Sequence, residues 1–221
     1  MGKYRSVFDI IGPVMVGPSS SHTAGAVRIG KIARNIYGRQ PDKVKITFYG
    51  SFAHTYRGHG TDVAIISGLL NFDTFDERIP EAFSYAEEAG MDVEIKTSDE
   101  KTRYPNTAKI ELTGQNDKLL MTGVSIGGGA IMIADINGFR CHIAGDTPAL
   151  LVMHKDIYGT IARIMMRIAD YKINVSHLED SRHAKGEVAL MIIETDEPIS
   201  RDLQNELREL PNVERVIEVR L

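Results

Sequence analysis

The order of apolar patterns after Pro148 constrains this chain more than any other feature. Residues 149–153 are continuously apolar and read as a strand, and Asp156-Ile157-Tyr158-Gly159 supplies a turn. Over 160–171 the apolar residues Ile161, Ile164, Met165 and Ile168 fall on one helical face. Residues 174–180 and 188–195 return to strand patterning around a turn at Ala184-Lys185-Gly186. A second helix over 202–210 and a last strand over 213–219 complete the series. Strand, helix, strand, strand, helix, strand in about seventy residues predicts a ferredoxin-like split βαβ, with two helices on one face of a four-stranded sheet. Turn chemistry at Gly145-Asp146-Thr147-Pro148 separates this series from what precedes it. The expected domains are therefore 1–145 and 148–221.

The first 145 residues mix the two periods, so the fold class is α/β (α+β) throughout. A helix is expected from the serine run at Ser19 to Gly38, with Ala26, Ile29, Ala33 and Ile36 at near-helical spacing. Val44, Ile46 and Phe48 alternate as a strand running into Gly50. Helices are expected over 61–70 and 81–89, the latter stopped by Gly90. Strands are expected around 93–95, 110–112 and 124–126, and Asn137-Gly138 signals a tight hairpin.

Composition narrows the function. A formal charge of −4 with no dense Lys/Arg run argues against nucleic acid as a partner. No run reaches the roughly 18 apolar residues of a membrane span. The start MGKYRSVFDIIGPVMVG has a basic head and an apolar stretch, but Asp9 interrupts it and no small-residue cleavage site follows. A cytoplasmic location is expected. Cys141 is the single cysteine, which excludes an internal disulfide and a Cys-rich metal knuckle; in a strand pattern it reads as a small buried hydrophobe.

Two stretches carry chemistry. Ser19, Ser20, Ser21, His22 and Thr23 open a helix, where unpaired backbone N–H groups, the helix dipole and hydroxyls together suit a carboxylate. One serine would suffice for capping alone. His59 lies between Gly58 and Gly60, which leave an imidazole accessible on what reads as a loop. Imidazole is the natural base near neutral pH, although an ordinary loop histidine fits equally well on the residues alone. Asp62 reads as structural, beside a helix start. His54, after a strand end, reads as a solvated loop residue. Gly127-Gly128-Gly129 lacks the context of a phosphate loop and reads as a bend or bulge. Asn106 and Thr107 read equally well as a turn before a strand or as groups facing the site.

The run Gly17-Pro18-Ser19-Ser20-Ser21-His22-Thr23, then Tyr49-Gly50-Ser51-Phe52-Ala53, Gly58-His59-Gly60-Thr61-Asp62 and Phe72-Asp73-Thr74, in that order, resembles the iron–sulfur L-serine dehydratases of bacteria across essentially the whole chain. In their two-chain form the β chain carries these motifs and ends in an ACT domain. The resemblance implies a lyase of amino-acid degradation, feeding gluconeogenesis, that converts L-serine to pyruvate and ammonia by α,β-elimination. It implies His59 as catalytic base, and Ser19, Ser20, Ser21, His22, Thr23, Asn106 and Thr107 as substrate-binding residues. The cofactor implied is a 4Fe-4S cluster held by a partner α chain, with one iron acting as Lewis acid on the serine hydroxyl. No metal ligand is expected in this chain, because a cluster needs about three or four thiolates. Pyridoxal phosphate is not expected. Expected partners are the α subunit, L-serine, a small-molecule effector at the turn of His154, Asp156 and Gly159, and a second copy through the ACT domain. The chain alone is expected to be inactive. Relatives often have a histidine before the Pro-Asn-Thr seen at 105–107; Tyr104 stands there in this chain, so no role of that histidine carries over. The competing class is a non-catalytic amino-acid sensor related to the regulatory domains of 3-phosphoglycerate dehydrogenase, which would need carboxylate and amine contacts but no base.

Overall fold

The computed structural model describes residues 13–219; most of the opening stretch in which Asp9 argues against a leader lies outside them. The chain forms two compact units, Met1–Asn137 and Gly138–Leu221.

In the first unit, a wide π-type turn over Ser20–Ala24 runs straight into α1 (Gly25–Tyr37). Ile29, Ile32, Ala33 and Ile36 of α1 are fully buried, and Gly38 in a left-handed conformation ends it. Strand β1 (Lys43–Tyr49) alternates as read, burying Val44, Ile46 and Phe48. Three short helices follow: α2 (Gly50–His59), α3 (Thr61–Leu69) and α4 (Ala82–Glu88). They lead to β2 (Asp92–Ser98), which pairs parallel to β1. Antiparallel β3 (Asn106–Thr113), β4 (Lys118–Gly127) and β5 (Ala130–Ile136) extend the sheet on the other side of β1, in the order β2-β1-β3-β4-β5; the next strand along the chain, β6 (Phe139–Ile143), belongs to the second unit. Ile65, Ile66 and Leu69 of α3 join Ile110, Leu112, Met121 and Ile131 of the sheet among the buried residues. Helices α1 and α3 approach backbone to backbone at Gly30 and Gly68, where a β-carbon on Gly68 would lie 2.0 Å from the Val27 carbonyl oxygen.

Helix α2 is not legible in the sequence, where 51–60 reads as a loop. Only Phe52 of its ten residues is fully buried, so no apolar stripe marks it, and two glycines at its end suggest a break. The triple glycine does form a bend: it turns β4 into β5 beside a register shift at Ser125/Gly127.

In the second unit β7 (Ala149–Lys155), α5 (Thr160–Asp170), β8 (Val175–Arg182), β9 (Val188–Thr195), α6 (Arg201–Glu209) and β10 (Val213–Val219) give the expected series. The strand order is β10-β7-β9-β8, the ferredoxin-like arrangement expected. Leu150, Val152, Met191, Ile193 and Val216 form the sheet face that packs on Ile164, Ile168, Leu203 and Leu207 of the two helices. Ser200 caps α6, its Oγ accepting from the Leu203 N–H. The units divide at Asn137/Gly138, ahead of the turn at Gly145, because β6 packs with the second unit. There the Ser181 hydroxyl donates to the Arg140 carbonyl (2.9 Å), the His142 N–H donates to Glu179 (3.1 Å), and the rings of Phe139 and His183 lie 4.0 Å apart.

Candidate functional site

Register brings one end of the first sheet to a focus. Tyr49, the last residue of β1, lies opposite Thr107 at the start of β3, and Thr107 lies opposite Val124 near the end of β4. Chain reversals of all three strands therefore share one rim. Gly50 starts α2 there with φ +55°, and a β-carbon on it would meet the Pro105 carbonyl oxygen at 2.5 Å. Only glycine fits. This lets the Ser51 N–H donate to that carbonyl (2.6 Å) and sets the serine side chain toward the turn at 20–24.

Within that turn, Ser19 is the N-cap, its Oγ accepting from the His22 N–H at 3.1 Å. The N–H groups of Ser20 and Ser21 precede the first i→i−4 bond, from Thr23 N to Ser19 O. Ser19 Oγ and Ser21 Oγ are 3.3 Å apart, Ser21 Oγ is 2.9 Å from His22 Nδ1, and His22 Nε2 is 3.1 Å from Ser51 Oγ. The Phe52 ring meets the His22 ring edge-on, with centroids 5.1 Å apart. The Thr23 hydroxyl donates to the His59 carbonyl (3.1 Å), and the His59 and His22 rings lie 4.9 Å apart. Burial, and then the neighbouring His59, hold the His22 pKa below its ordinary value, so His22 is neutral at physiological pH. The His59 Nδ1 is enclosed and has no hydrogen-bond partner.

The structure thus brings Ser19, Ser20, Ser21, His22, Thr23 and His59 together. It also corrects placements: His59 is the last residue of helix α2, not part of a loop, and Gly60 turns the chain into α3. His54, read as a loop residue, is an exposed position of the same helix. Asn106 and Thr107 belong to β3 rather than to a turn before it. Asn106 donates to the Ser125 carbonyl (3.4 Å), and Thr107 is buried with its hydroxyl donating to the Tyr104 carbonyl (2.8 Å). Asp62 accepts from the Val63 N–H (2.9 Å); burial raises its pKa against that hydrogen bond. Sequence reasoning passed over Ser51 and Ser125. Ser125 is buried on β4 with its Oγ unpartnered; its one sequence signal is its place beside the triple glycine. The Phe72-Asp73-Thr74 motif latches the segment that leads into the serine turn: Thr74 bonds Val14 and Val16, and Asp73 pairs with Lys31.

In the second unit His154 is not in the turn but buried on β7. Its Nε2 is 2.9 Å from Asp180 and its Nδ1 3.0 Å from the Lys155 carbonyl. Burial alone would lower its pKa, but the bonds to Asp180 and Lys155, with the charges of Asp180 and Asp156, outweigh it and raise the value above 6.5. Asp156 does occupy the turn and accepts from the Gly186 N–H (3.1 Å) and the Arg182 guanidinium (2.5 Å), which hold its pKa down. Gly159, in a left-handed conformation, precedes α5.

This chain's residues do not suit an iron–sulfur cluster. Cys141 is its only cysteine and is buried on β6. Among the described residues, no three His, Cys, Asp or Glu side chains gather as they would around a metal.

A hydroxyl-rich turn beside two imidazoles, in a chain that ends in a ferredoxin-like unit, is the class of arrangement the structure defines. Comparison with known proteins gives its family. Residues 6–81 match the serine dehydratase beta chain family. The chain is 54% identical over 217 residues to the probable L-serine dehydratase, beta chain, of Bacillus subtilis (strain 168), covering 98% of this chain and 99% of that protein. It is 35% identical over 202 residues to the L-serine dehydratase, beta chain, of Peptoniphilus asaccharolyticus, covering 90% and 91%. A D-3-phosphoglycerate dehydrogenase of Bacillus subtilis (strain 168) is 27% identical over 199 residues, 89% of this chain but 37% of that enzyme. The chain belongs to the β-chain family of L-serine dehydratases.

Proposed function

We infer that the chain is the β subunit of an iron–sulfur L-serine dehydratase and that it supplies the substrate seat and the base for α,β-elimination of L-serine to pyruvate and ammonia. The carrying observation is that His59, with an unpartnered Nδ1, lies 4.9 Å ring to ring from the imidazole of the hydroxyl-lined turn at 20–24. A substrate carboxylate fits the free N–H groups and hydroxyls of that turn, and charge that develops on it as the α-proton leaves meets donors already in place. His59 accepts that proton. Loss of the β-hydroxyl leaves an enamine, which water converts to pyruvate and ammonia. The 4Fe-4S cluster belongs to the α chain in this reading, which the single cysteine of this chain supports, and the chain alone is inactive. Asn106 and Thr107 are assigned to substrate binding in this reading, supported by their place at the start of β3 on the rim that also carries Tyr49 and Gly50. The ACT-type unit pairs with a second copy and takes a small effector at the turn of Asp156 and Gly159; His154 is buried under that turn rather than exposed to a ligand. Location is in the cytoplasm; no described helix is long and apolar enough to cross a membrane.

The test is the assembled α–β enzyme carrying His59→Ala. Loss of a general base lowers kcat by ~100- to 10,000-fold, with serine binding little changed. Pyruvate release near the wild-type rate would remove His59 from the chemistry. Serine binding in an assembled complex that never eliminates water, wild type included, would instead mark the chain as a sensor.

A further inference from the structure

Three serines and one histidine form a continuous polar chain across two elements: Ser19 Oγ to Ser21 Oγ, Ser21 Oγ to His22 Nδ1, and His22 Nε2 to Ser51 Oγ, at 3.3, 2.9 and 3.1 Å. Its first two members belong to the seat. Its last, Ser51, stands in the first turn of α2, fixed there by its own N–H on the Pro105 carbonyl and by the Thr55 hydroxyl on its carbonyl (2.7 Å). A neutral imidazole has one nitrogen that donates and one that accepts, so the directions of all these bonds are coupled. With the proton on Nε2, the ring donates to Ser51 and Ser21 must turn its O–H onto Nδ1. With the proton on Nδ1, the ring donates to Ser21, Ser51 donates to Nε2, and the Ser21 O–H is released.

We propose that Ser51 is a positioning residue for substrate binding: by donating to His22 Nε2 it holds His22 as the Nδ1–H tautomer, and this frees the Ser21 hydroxyl to donate to the substrate carboxylate. A carboxylate only accepts hydrogen bonds, so its arrival at the seat favours the same tautomer. Ligand and Ser51 therefore drive the imidazole in one direction from opposite ends of the chain. Because burial and His59 keep His22 neutral, the tautomer rather than the charge of the ring is what Ser51 sets. The Phe52 ring packs against the imidazole edge-on, and a flip of the ring would bring carbons, not the other nitrogen, to Ser21 and Ser51.

This rests on the seat proposed above, and the experiment separates the two. Nitrogen-15 shifts of the His22 ring are recorded in the full-length chain, wild type, Ser51→Ala and Ser51→Thr, at pH 7.5, without and with saturating D-serine as the carboxylate probe. The wild-type ring is expected as Nδ1–H and Ser51→Ala as mainly Nε2–H, with Ser51→Thr restoring the wild-type pattern. In the assembled enzyme, Ser51→Ala raises KM for L-serine roughly tenfold or more, the loss of one hydrogen bond to a charged group, while kcat falls much less. The same tautomer in wild type and Ser51→Ala, or a kcat loss with unchanged KM, overturns the role of Ser51. If D-serine leaves the amide signals of residues 19–23 unmoved while the tautomers differ between variants, the seat is wrong and the control of His22 by Ser51 stands.

Discussion

Replacing Gly68 by alanine tests whether the serine turn and His59 depend on the backbone contact between α1 and α3. In an exposed helix the change would stabilise by about 1 kcal/mol, the usual preference for alanine over glycine. Here the new methyl would sit 2.0 Å from the Val27 carbonyl oxygen, 2.5 Å from Lys31 N and 2.9 Å from Gly30 C, all backbone atoms that cannot swing aside as a side chain can. To restore ordinary contact α1 and α3 must part by more than about 1 Å. Overpacking of this kind costs about 3 kcal/mol at the upper end of its usual range, so after the propensity gain the net loss is about 2 kcal/mol. With a urea dependence of about 2 kcal/mol/M, the unfolding midpoint falls by about 1 M.

Activity should suffer beyond stability. Helix α1 carries the serine turn at its head, and α3 follows directly from His59, so parting the two strains the Thr23–His59 bond and moves base from seat. A displacement of about 1 Å in a reacting geometry can cost on the order of 100-fold. Gly58→Ala is the control: it is the same substitution in helix α2, where a methyl has no heavy atom within 4 Å, and it should be neutral or stabilising. Urea unfolding of the full-length chain and kcat/KM of the assembled enzyme give the two readings. If Gly68→Ala is as stable as Gly58→Ala, the backbone contact between α1 and α3 is not as close as described and the reasoning fails.

The remaining predictions concern single backbone and titration features. Gly50→Ala must hold alanine at φ +55° and place a methyl 2.5 Å from the Pro105 carbonyl oxygen, so it should lose about 2 kcal/mol in the same urea assay and weaken serine binding through Ser51. In the second unit, the His154 pKa is raised, so its contribution to stability is complete below pH 6.5 and disappears as pH rises through the folded value. Urea midpoints should therefore fall as pH rises above 6.5, and Asp180→Asn should flatten that slope; an unchanged slope would show that the pair does not set it.

How legible these features were depended on whether a residue's surroundings repeat along the chain. The second unit was readable because α5 and α6 each bury a single face against alternating strands; Ile164 and Ile168 or Leu150 and Val152 announce their faces by spacing alone. Strand β1 and helix α1 were readable for the same reason. Helix α2 was not, since it buries Phe52 alone and carries functional groups where a core helix would carry leucines. The buried place of His154 was hidden differently. A histidine at the end of an apolar strand looks like the start of a polar turn, and only the fold brings Asp180 two strands away to satisfy it.

The site shows the same division more sharply. Its serine turn was visible because five polar residues in succession exceed what capping a helix requires. The other half is built by convergence. Ser51 reaches His22 because Gly50 takes a left-handed conformation, and the close approach of Pro105, just before β3, leaves no room there for a β-carbon. The chain separations involved, 29 residues from His22 to Ser51 and 36 from Thr23 to His59, leave no periodic trace. A lone glycine before a serine at the end of a strand is compatible with any turn. What distinguishes it here is the antiparallel register that puts Thr107 opposite Tyr49 and so delivers Pro105 to the rim. Shifting that register by one residue would carry Pro105 off Gly50, release Ser51 from its backbone anchor and leave the His22 ring without its second partner. Sheet register, set by the buried alternation of β1 and β3, is therefore what places the Ser51 hydroxyl against the His22 ring.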